Sequence, residues 1–159
     1  MRILGIDPGS HITGYGVIDK SGNALRHLLY GEIKPARNAS LSDVLTHIHA
    51  QLDRVLEETR PHAVALENIF YGKNVRSLIR QAHVRGVVIL ACALKSVPVF
   101  EYTPLEVKKA VVGYGRAEKR QVQMMVKAIL KLPSVPSADA ADALAQAVCH
   151  ANFLKEQSV

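Results

Sequence analysis

The stretch that decides the fold is residues 1–18, MRILGIDPGSHITGYGVI. Its beginning, Arg2–Ile6, is mostly apolar and predicts a buried strand, yet that strand ends on the carboxylate of Asp7, directly before Pro8 and Gly9. Asp before Pro-Gly often starts a turn, because its side chain can accept hydrogen bonds from the backbone N–H groups of the turn. The other interpretation is that Asp7 belongs to a site, which requires partners elsewhere in the chain.

The rest of the chain alternates between strand and helix patterns. Three sequential strands with short turns come first, and further strands follow that are linked by amphipathic helices, which together predict an α/β fold with a mixed sheet covered by helices. The predicted strands are Arg2–Asp7, His11–Asp19, Ala24–Ile33, Ala63–Glu67 and Val97–Tyr102. The predicted helices are Ser40–Thr59, Asn74–Leu94, a short one from Pro104 to about Gly113, Ala117–Lys131, and a last one that starts at Ser137.

Length and composition favour one globular domain over residues 1–159, with 48% hydrophobic and 21% charged residues. No uninterrupted apolar run reaches the roughly 18 residues of a membrane span, so no membrane association is expected. No signal peptide is recognisable. Cys92 and Cys149 lie in apolar helical surroundings and are predicted to be buried free thiols, which favours a reducing, cytoplasmic location.

Positive charge is concentrated in the second half of the chain. The formal net charge is +6, and residues 71–131 contain 12 basic residues and 3 acidic ones. Such an excess is typical of proteins that bind a polyanion, most often nucleic acid, although many proteins carry a basic solvated surface without such a partner.

Glu67 is the first candidate partner for Asp7. It ends the fourth predicted strand in the same way that Asp7 ends the first. A helix-linked strand often returns beside the first strand of a mixed sheet, which would bring the two carboxylates to one edge of the core. Taken singly, a Glu after a strand is usually a solvated strand end.

Two further carboxylates lie in SADAADALA, residues 137–145. Asp139 and Asp142 are three residues apart, so a helix places both on one face, with Cβ atoms roughly 5–6 Å apart. Both could simply occupy the favourable first turn of a helix. The flanking alanines, however, allow that helix to approach a sheet closely.

Four carboxylates gathered in one place require a cation. One pair of unit charges at 4 Å repels by about 4 kcal/mol at an effective dielectric near 20. Ligands that are all oxygen favour Mg²⁺ or Mn²⁺ over zinc, and two such ions can activate a water and stabilise the leaving oxygen of a phosphodiester. The pattern therefore favours a metal-dependent nuclease whose basic surface binds phosphates.

The sequence resembles the RuvC family of Holliday-junction resolvases. The blocks that carry the resemblance are GIDPGSHITGYGVI, ALENIF, VFEYTPLEVKKAVVGYGRAEKRQVQMMV and LPSVPSADAADALA, and they occur in family order along almost the whole chain. The resemblance implies a ribonuclease-H-like fold, which is a five-stranded mixed sheet with helices on both faces. It also implies a crossover junction endodeoxyribonuclease that depends on Mg²⁺, two ions per site with Mn²⁺ as a substitute, in DNA recombination and repair.

The resemblance also assigns roles to single residues. Asp7, Glu67, Asp139 and Asp142 match the catalytic, metal-binding positions. Phe70 matches an aromatic residue that contacts bases, and Lys108 and Lys119 match basic residues that contact DNA. The implied enzyme is a homodimer that nicks two opposed strands of a four-way junction symmetrically and works with the RuvA–RuvB branch-migration complex.

Two alternatives stay open. One is a ribonuclease-H-like nuclease of the YqgF type that acts on RNA, and the other is a junction-binding protein without catalysis. The segments ADAADALA, VKKAVVG and AEK favour the RuvC family over the first, and the presence of all four carboxylates argues against the second.

Overall fold

The computed structural model describes residues 1–68 and 74–156 and contains the predicted α/β architecture. The strands are β1 (Arg2–Asp7), β2 (Thr13–Ser21), β3 (Ala24–Ile33), β4 (Ala63–Glu67) and β5 (Val99–Tyr102). The helices are α1 (Leu41–Thr59), α2 (Val75–Leu94), α3 (Pro104–Val112), α4 (Lys119–Leu130) and α5 (Ala138–Glu156).

The five strands form one mixed sheet in the order β3-β2-β1-β4-β5. β1 and β2 are antiparallel, as are β2 and β3, whereas β1–β4 and β4–β5 are parallel. The prediction that β4 returns beside β1 is confirmed. The carboxyl ends of β1, β4 and β5 therefore lie at the same edge of the sheet.

Helices cover both faces of this sheet. Leu4 and Ile6 of β1 belong to a core that is shared with α1 and α2, while Ile3 belongs to a second core that is shared with α3, α4 and α5. This alternation follows from the two-residue period of a strand, which sends successive side chains to opposite faces. Because both faces of β1 are covered, its sequence is apolar from Ile3 to Ile6, between Arg2 at its start and Asp7 at its end.

Local capping sets several helix ends as expected. Ser40 caps α1 by accepting from the backbone of Asp43, and Thr103 with Glu106 forms the predicted capping box of α3. Gly113 ends α3 with a φ of 91°, a conformation that glycine adopts without strain.

Three elements were predicted to begin two residues too early. β2 starts at Thr13 rather than at residue 11, and β5 starts at Val99, because Pro98 before it has no N–H to donate to the sheet. α4 starts at Lys119 rather than at residue 117, because Glu118 and Gln121 form its capping box.

Helix α2 leaves much of its apolar surface uncovered. By length and composition it could cross a membrane, and 28% of its most apolar window is buried. Val84 and Val88 point into the core, whereas Ile79 and Leu90 are 52% and 54% exposed. The helix is thus a component of the core on one side and presents an apolar face on the other.

Candidate active site

The candidate site begins where β1 and β4 end. These strands are parallel neighbours, with Ile6 opposite Leu66, so the carboxylates of Asp7 and Glu67 leave the sheet at the same edge. Within the antiparallel pair, Asp7 lies opposite Gly14 of β2. The sheet register therefore brings together two acidic residues that are far apart in the sequence.

Glycines in the strands bring α5 against this edge. A Cβ added to Gly5 would lie 1.9 Å from the carbonyl oxygen of Ala143, and one added to Gly14 would lie 2.0 Å from that of Asp139. Only residues without a side chain permit such contact between a helix backbone and a sheet. Since Gly14 is opposite Asp7, this contact places the first turn of α5 beside the end of β1.

The four carboxylates meet around Asp7. One cleft, of about 260 Å³, is lined by Asp7, Glu67 and Asp142, and an adjoining cleft, of about 470 Å³, is lined by Asp7 and Asp139. The structure thus brings together all four acidic residues that the sequence singled out.

The pKa values of three of the carboxylates reflect this proximity. The pKa of Asp7 is raised to about 7, first by burial and then by the negative charges of the other three carboxylates. Burial is likewise the main cause of the raised pKa of Glu67 and of Asp142. A site in which negative charge is so unfavourable gains stability from a bound cation.

The donor set fits a hard divalent ion. All four groups are carboxylates, which are the ligands that Mg²⁺ and Mn²⁺ prefer. Within residues 1–68 and 74–156, no three His, Cys, Asp or Glu side chains already stand in a metal-ligating arrangement.

Basic residues line both clefts. Lys108 of α3 and Lys119 of α4 line the smaller one, and Lys119 Nζ is 3.8 Å from Asp142 Oδ2 with its side chain 78% exposed. Arg76 and Arg80 of α2 line the larger one. Phe70, which was predicted to contact bases, lies outside the described residues.

Sequence reasoning missed Arg85, which supports the end of β4. Its guanidinium, which is 8% exposed, donates to the backbone oxygen of Glu67 at 2.5 Å and forms an ion pair with Glu101 of β5. A lone arginine in the apolar stretch VRGVVIL was the available signal, because a buried charge requires a partner.

Sequence reasoning also missed Gln146, one helical turn beyond Asp142. It lines the smaller cleft with Asp7 and Glu67 and is only 2% exposed. A glutamine in the alanine-rich run ADALAQA was the available signal, since buried amides require hydrogen-bond partners.

Comparison with known proteins agrees with this geometry. The sequence model of the family described as crossover junction endodeoxyribonuclease RuvC matches residues 3–150. The chain belongs to the RuvC family. A crossover junction endodeoxyribonuclease RuvC of Syntrophotalea carbinolica is 53% identical over 152 residues, covering 96% of this chain and 94% of that protein. The RuvC of Geobacter sulfurreducens is 50% identical over 159 residues, covering 100% of this chain and 97% of its own.

Solved structures of Holliday-junction resolvases share this fold. Thermus thermophilus RuvC in complex with a Holliday junction substrate matches with a TM-score of 0.93 and 34% identity, covering 99% of this chain and 97% of that one. The yeast mitochondrial Holliday junction resolvase Ydc2 matches with a TM-score of 0.67 at 13% identity, covering 98% of this chain and 78% of that one, a likeness of fold alone. The predicted ribonuclease-H-like fold is thereby confirmed.

Proposed function

We propose that this chain is a Holliday-junction resolvase, an endodeoxyribonuclease that nicks two opposed strands of a four-way DNA junction. The observation that carries the proposal is the meeting of four carboxylates in basic clefts, in a chain of the RuvC family. The name of the RuvC relatives and the junction bound to the Thermus protein support the choice of substrate.

Asp7, Glu67, Asp139 and Asp142 would hold divalent ions, with Mg²⁺ as the expected metal. When bound, such ions supply an activated water and stabilise the leaving oxygen of the phosphodiester. The half-buried carboxylate of Asp7 lines both clefts, so it is the best placed of the four to serve both halves of the site. Its raised pKa means that ion binding must be accompanied by loss of its proton near neutral pH.

The basic residues around the carboxylates would bind the backbone of the DNA. Lys108 and Lys119 lie on one side of Asp7, and Arg76 and Arg80 lie on the other. A strand that crosses the carboxylates would therefore have positive charge on both sides of the cleaved phosphate. Base contact by Phe70 and the RuvA–RuvB partnership stay predictions of the resemblance, and the cytoplasmic location stays a prediction from the two free cysteines.

We further propose that the enzyme acts as a two-fold dimer through α2. The uncovered face of this helix contains a groove of about 450 Å³, lined by Ile79, Ala82, His83, Gly86, Val87 and Leu90. A two-fold interface is self-complementary, so one such face serves both subunits and sets two sites in symmetric positions. Symmetric sites are what paired nicking of a four-way junction requires.

The proposal is tested by incubating the protein with a synthetic four-way junction, with and without Mg²⁺. We expect paired, symmetric nicks only with the metal. Linear duplex DNA of the same sequence and a structured RNA serve as matched substrates. Equal cleavage of the RNA would favour the YqgF-type alternative, and tight junction binding without nicking in Mg²⁺ or Mn²⁺ would favour a non-catalytic protein.

A further inference from the structure

Two buried polar atoms lack hydrogen-bond partners within residues 1–68 and 74–156, and both lie on α5. They are Oε1 of Gln146 and Nε2 of His150, whose residues are 2% and 1% exposed. An unpaired buried polar group is unfavourable, so two of them in one place call for an explanation.

The two atoms are placed to satisfy each other. Residues 146 and 150 are one helical turn apart, so their side chains are neighbours on the same face of α5. One atom is an acceptor, and the other is a ring nitrogen that can carry a proton. The structure contains no direct hydrogen bond between the two atoms, so a single buried water is what would join them.

The direction of this hydrogen bond follows from Tyr102. The phenolic oxygen of Tyr102 lies 2.6 Å from Nδ1 of His150. A neutral imidazole has one donor and one acceptor nitrogen. If Tyr102 donates its only proton to Nδ1, then Nε2 must carry the ring proton and donates to Gln146. Burial lowers the pKa of His150, which favours the neutral ring.

The orientation of Gln146 then follows as well. If Oε1 faces His150, the NH₂ group of Gln146 faces the cleft that it lines with Asp7, Glu67 and Asp142. Asp142 lies one turn before it on the same face, a spacing at which glutamine and aspartate form hydrogen bonds on helices.

We propose that Gln146 is a positioning residue for the carboxylate of Asp142, held in the donating orientation by His150 and Tyr102 behind it. The series runs from the Tyr102 hydroxyl to His150, from His150 to Gln146, and from the Gln146 amide to the carboxylate. It fixes the orientation of a metal ligand from within the core, a role that usually affects metal affinity by about 10–100-fold. The inference rests on the proposed function only in taking Asp142 as a metal ligand.

The test measures Mn²⁺ binding to the whole chain without DNA, by calorimetry and by electron paramagnetic resonance. Gln146→Met keeps an unbranched side chain of similar size and removes the amide. We expect it to weaken Mn²⁺ binding about 10-fold. Ala145→Ser, at a buried position next to it in the sequence, is the matched control for disturbance of α5 and should bind Mn²⁺ as the wild type does.

Tyr102→Phe removes one hydroxyl and keeps the ring. It therefore tests the proposed hydrogen bonds from Tyr102 through His150 and Gln146 without creating a cavity. In the wild-type background it should weaken Mn²⁺ binding about 2–3-fold. In a chain that already carries Gln146→Met it should have no further effect, because the effects of substitutions at coupled residues do not add. Equal effects of Tyr102→Phe in both backgrounds, or unchanged binding by Gln146→Met, would overturn the proposal.

Nitrogen-15 NMR of the metal-free protein checks the direction of the series. We expect His150 to be neutral with its proton on Nε2. A proton on Nδ1 instead would contradict the proposed direction of the hydrogen bonds. Failure of the wild-type protein to bind Mn²⁺ would count against the metal site and the proposed function. Normal wild-type binding that Gln146→Met leaves unchanged would count against the role of Gln146 alone.

Discussion

At the scale of single residues, Asp7 is distinguished by a half-buried carboxylate whose pKa is raised to about 7. It ends a strand that is covered on both faces, so its carboxylate is desolvated before any neighbour is considered, and burial is the largest cause of its raised pKa. The other three carboxylates then add repulsion. The same residue is thus unfavourable for the stability of the metal-free chain and well suited to bind a cation.

Asp7→Asn should abolish nicking and spare binding. Asparagine keeps the shape and loses the charge that attracts the ions, so we expect nicking in Mg²⁺ to fall at least about 1,000-fold. Junction affinity without metal should stay within a few-fold of the wild type or rise slightly. Glu58→Gln, on the exposed face of α1, removes one charge far from the clefts and is the control. Rapid Mg²⁺-dependent nicking by the asparagine variant would refute the metal assignment.

The raised pKa of Asp7 also predicts how stability depends on pH. In the folded protein this pKa is about 7, against an ordinary value of 3.8, so the folded state keeps a proton that the unfolded chain releases. The stabilisation from that proton is complete below about pH 4 and is lost as the pH rises towards 7. Glu67 and Asp142, whose pKa values are also raised, act in the same direction.

Calorimetric unfolding of metal-free protein between pH 4 and pH 8 measures this effect. Asp7→Asn should unfold at a higher temperature than the wild type at pH 8, by about 2–4 °C for each kcal/mol of repulsion removed. The difference should shrink towards pH 4, and Mg²⁺ should raise the unfolding temperature of the wild type more than that of the variant. A difference that is constant across this pH range would contradict the assignment.

Lys108 and Lys119 make a separate prediction, because they line the cleft while Lys109 of the same helix α3 does not. Each Lys→Ala change at 108 or 119 should make the slope of log affinity against log salt shallower by about one unit, since one phosphate contact is lost. Lys109→Ala is the matched control and should keep the wild-type slope. Unchanged slopes for all three variants would mean that the two cleft lysines belong only to the solvated surface.

At the scale of elements, the site depends on how closely α5 packs against the sheet. Alanines predominate on the buried face of the helix, and Gly5 and Gly14 are the strand positions that its backbone approaches most closely. This pairing of small residues lets a helix backbone contact a strand backbone directly. The position of the Asp139 turn is therefore set by Gly14 as much as by the helix itself.

Gly14→Ala should displace the start of α5 and lower both stability and activity. Its added Cβ would lie 2.0 Å from the backbone of Asp139, which cannot move without the helix. Overpacking of this kind costs about 1–3 kcal/mol or more. Chemical denaturation and Mg²⁺-dependent nicking measure the two effects.

Gly31→Ala is the control, because it is also a strand glycine, and its added Cβ meets only the end of the Tyr15 side chain. That side chain can move, so the loss of stability should be smaller and nicking should be retained. Equal losses for the two variants would show that the backbone contact with α5 has no special role.

At the scale of the whole molecule, the exposed apolar face of α2 is the feature that a single chain leaves uncovered. Leu90 is 54% exposed, whereas Val88 on the same helix is fully buried. Leu90→Glu should therefore keep the fold, dissociate the dimer at micromolar concentration, and reduce paired nicking before single nicking. Sedimentation and two-strand labelling of the junction measure these effects.

Val88→Glu and Met124→Glu are the controls for Leu90→Glu. Val88→Glu should unfold the chain, because it places an unpaired charge in the core. Met124→Glu, at an exposed position of α4, should stay dimeric. A wild-type protein that is monomeric throughout and still makes paired, symmetric nicks would refute the link between the dimer and the mechanism.

The sequence by itself determined the secondary structure and the chemistry of the site. Local signals predicted the elements: the periods of strands and helices, the turns at Pro and Gly, and the caps at Ser40 and Thr103. The caps at Ser40 and Thr103 are present in the structure as predicted. The four carboxylates could be selected because acidic residues at the ends of apolar strands, or paired beside alanines on a helix, are uncommon in a basic chain. The boundary errors arose where the hydrophobic pattern did not reveal a local stop, namely Pro98 before β5 and the capping box of Glu118 and Gln121 before α4.

Only the tertiary structure decided which residues support that site. Arg85 reaches the end of β4 from α2, 18 residues away in the sequence, and Tyr102 meets His150 across 48 residues. Such contacts depend on the packing of whole elements and leave no periodic trace in the sequence. The orientation of Gln146 towards the cleft depends on both the helix face and the depth to which α5 sinks onto the glycines of the sheet. That depth is a property of two surfaces that fit each other, which no single stretch of sequence can specify.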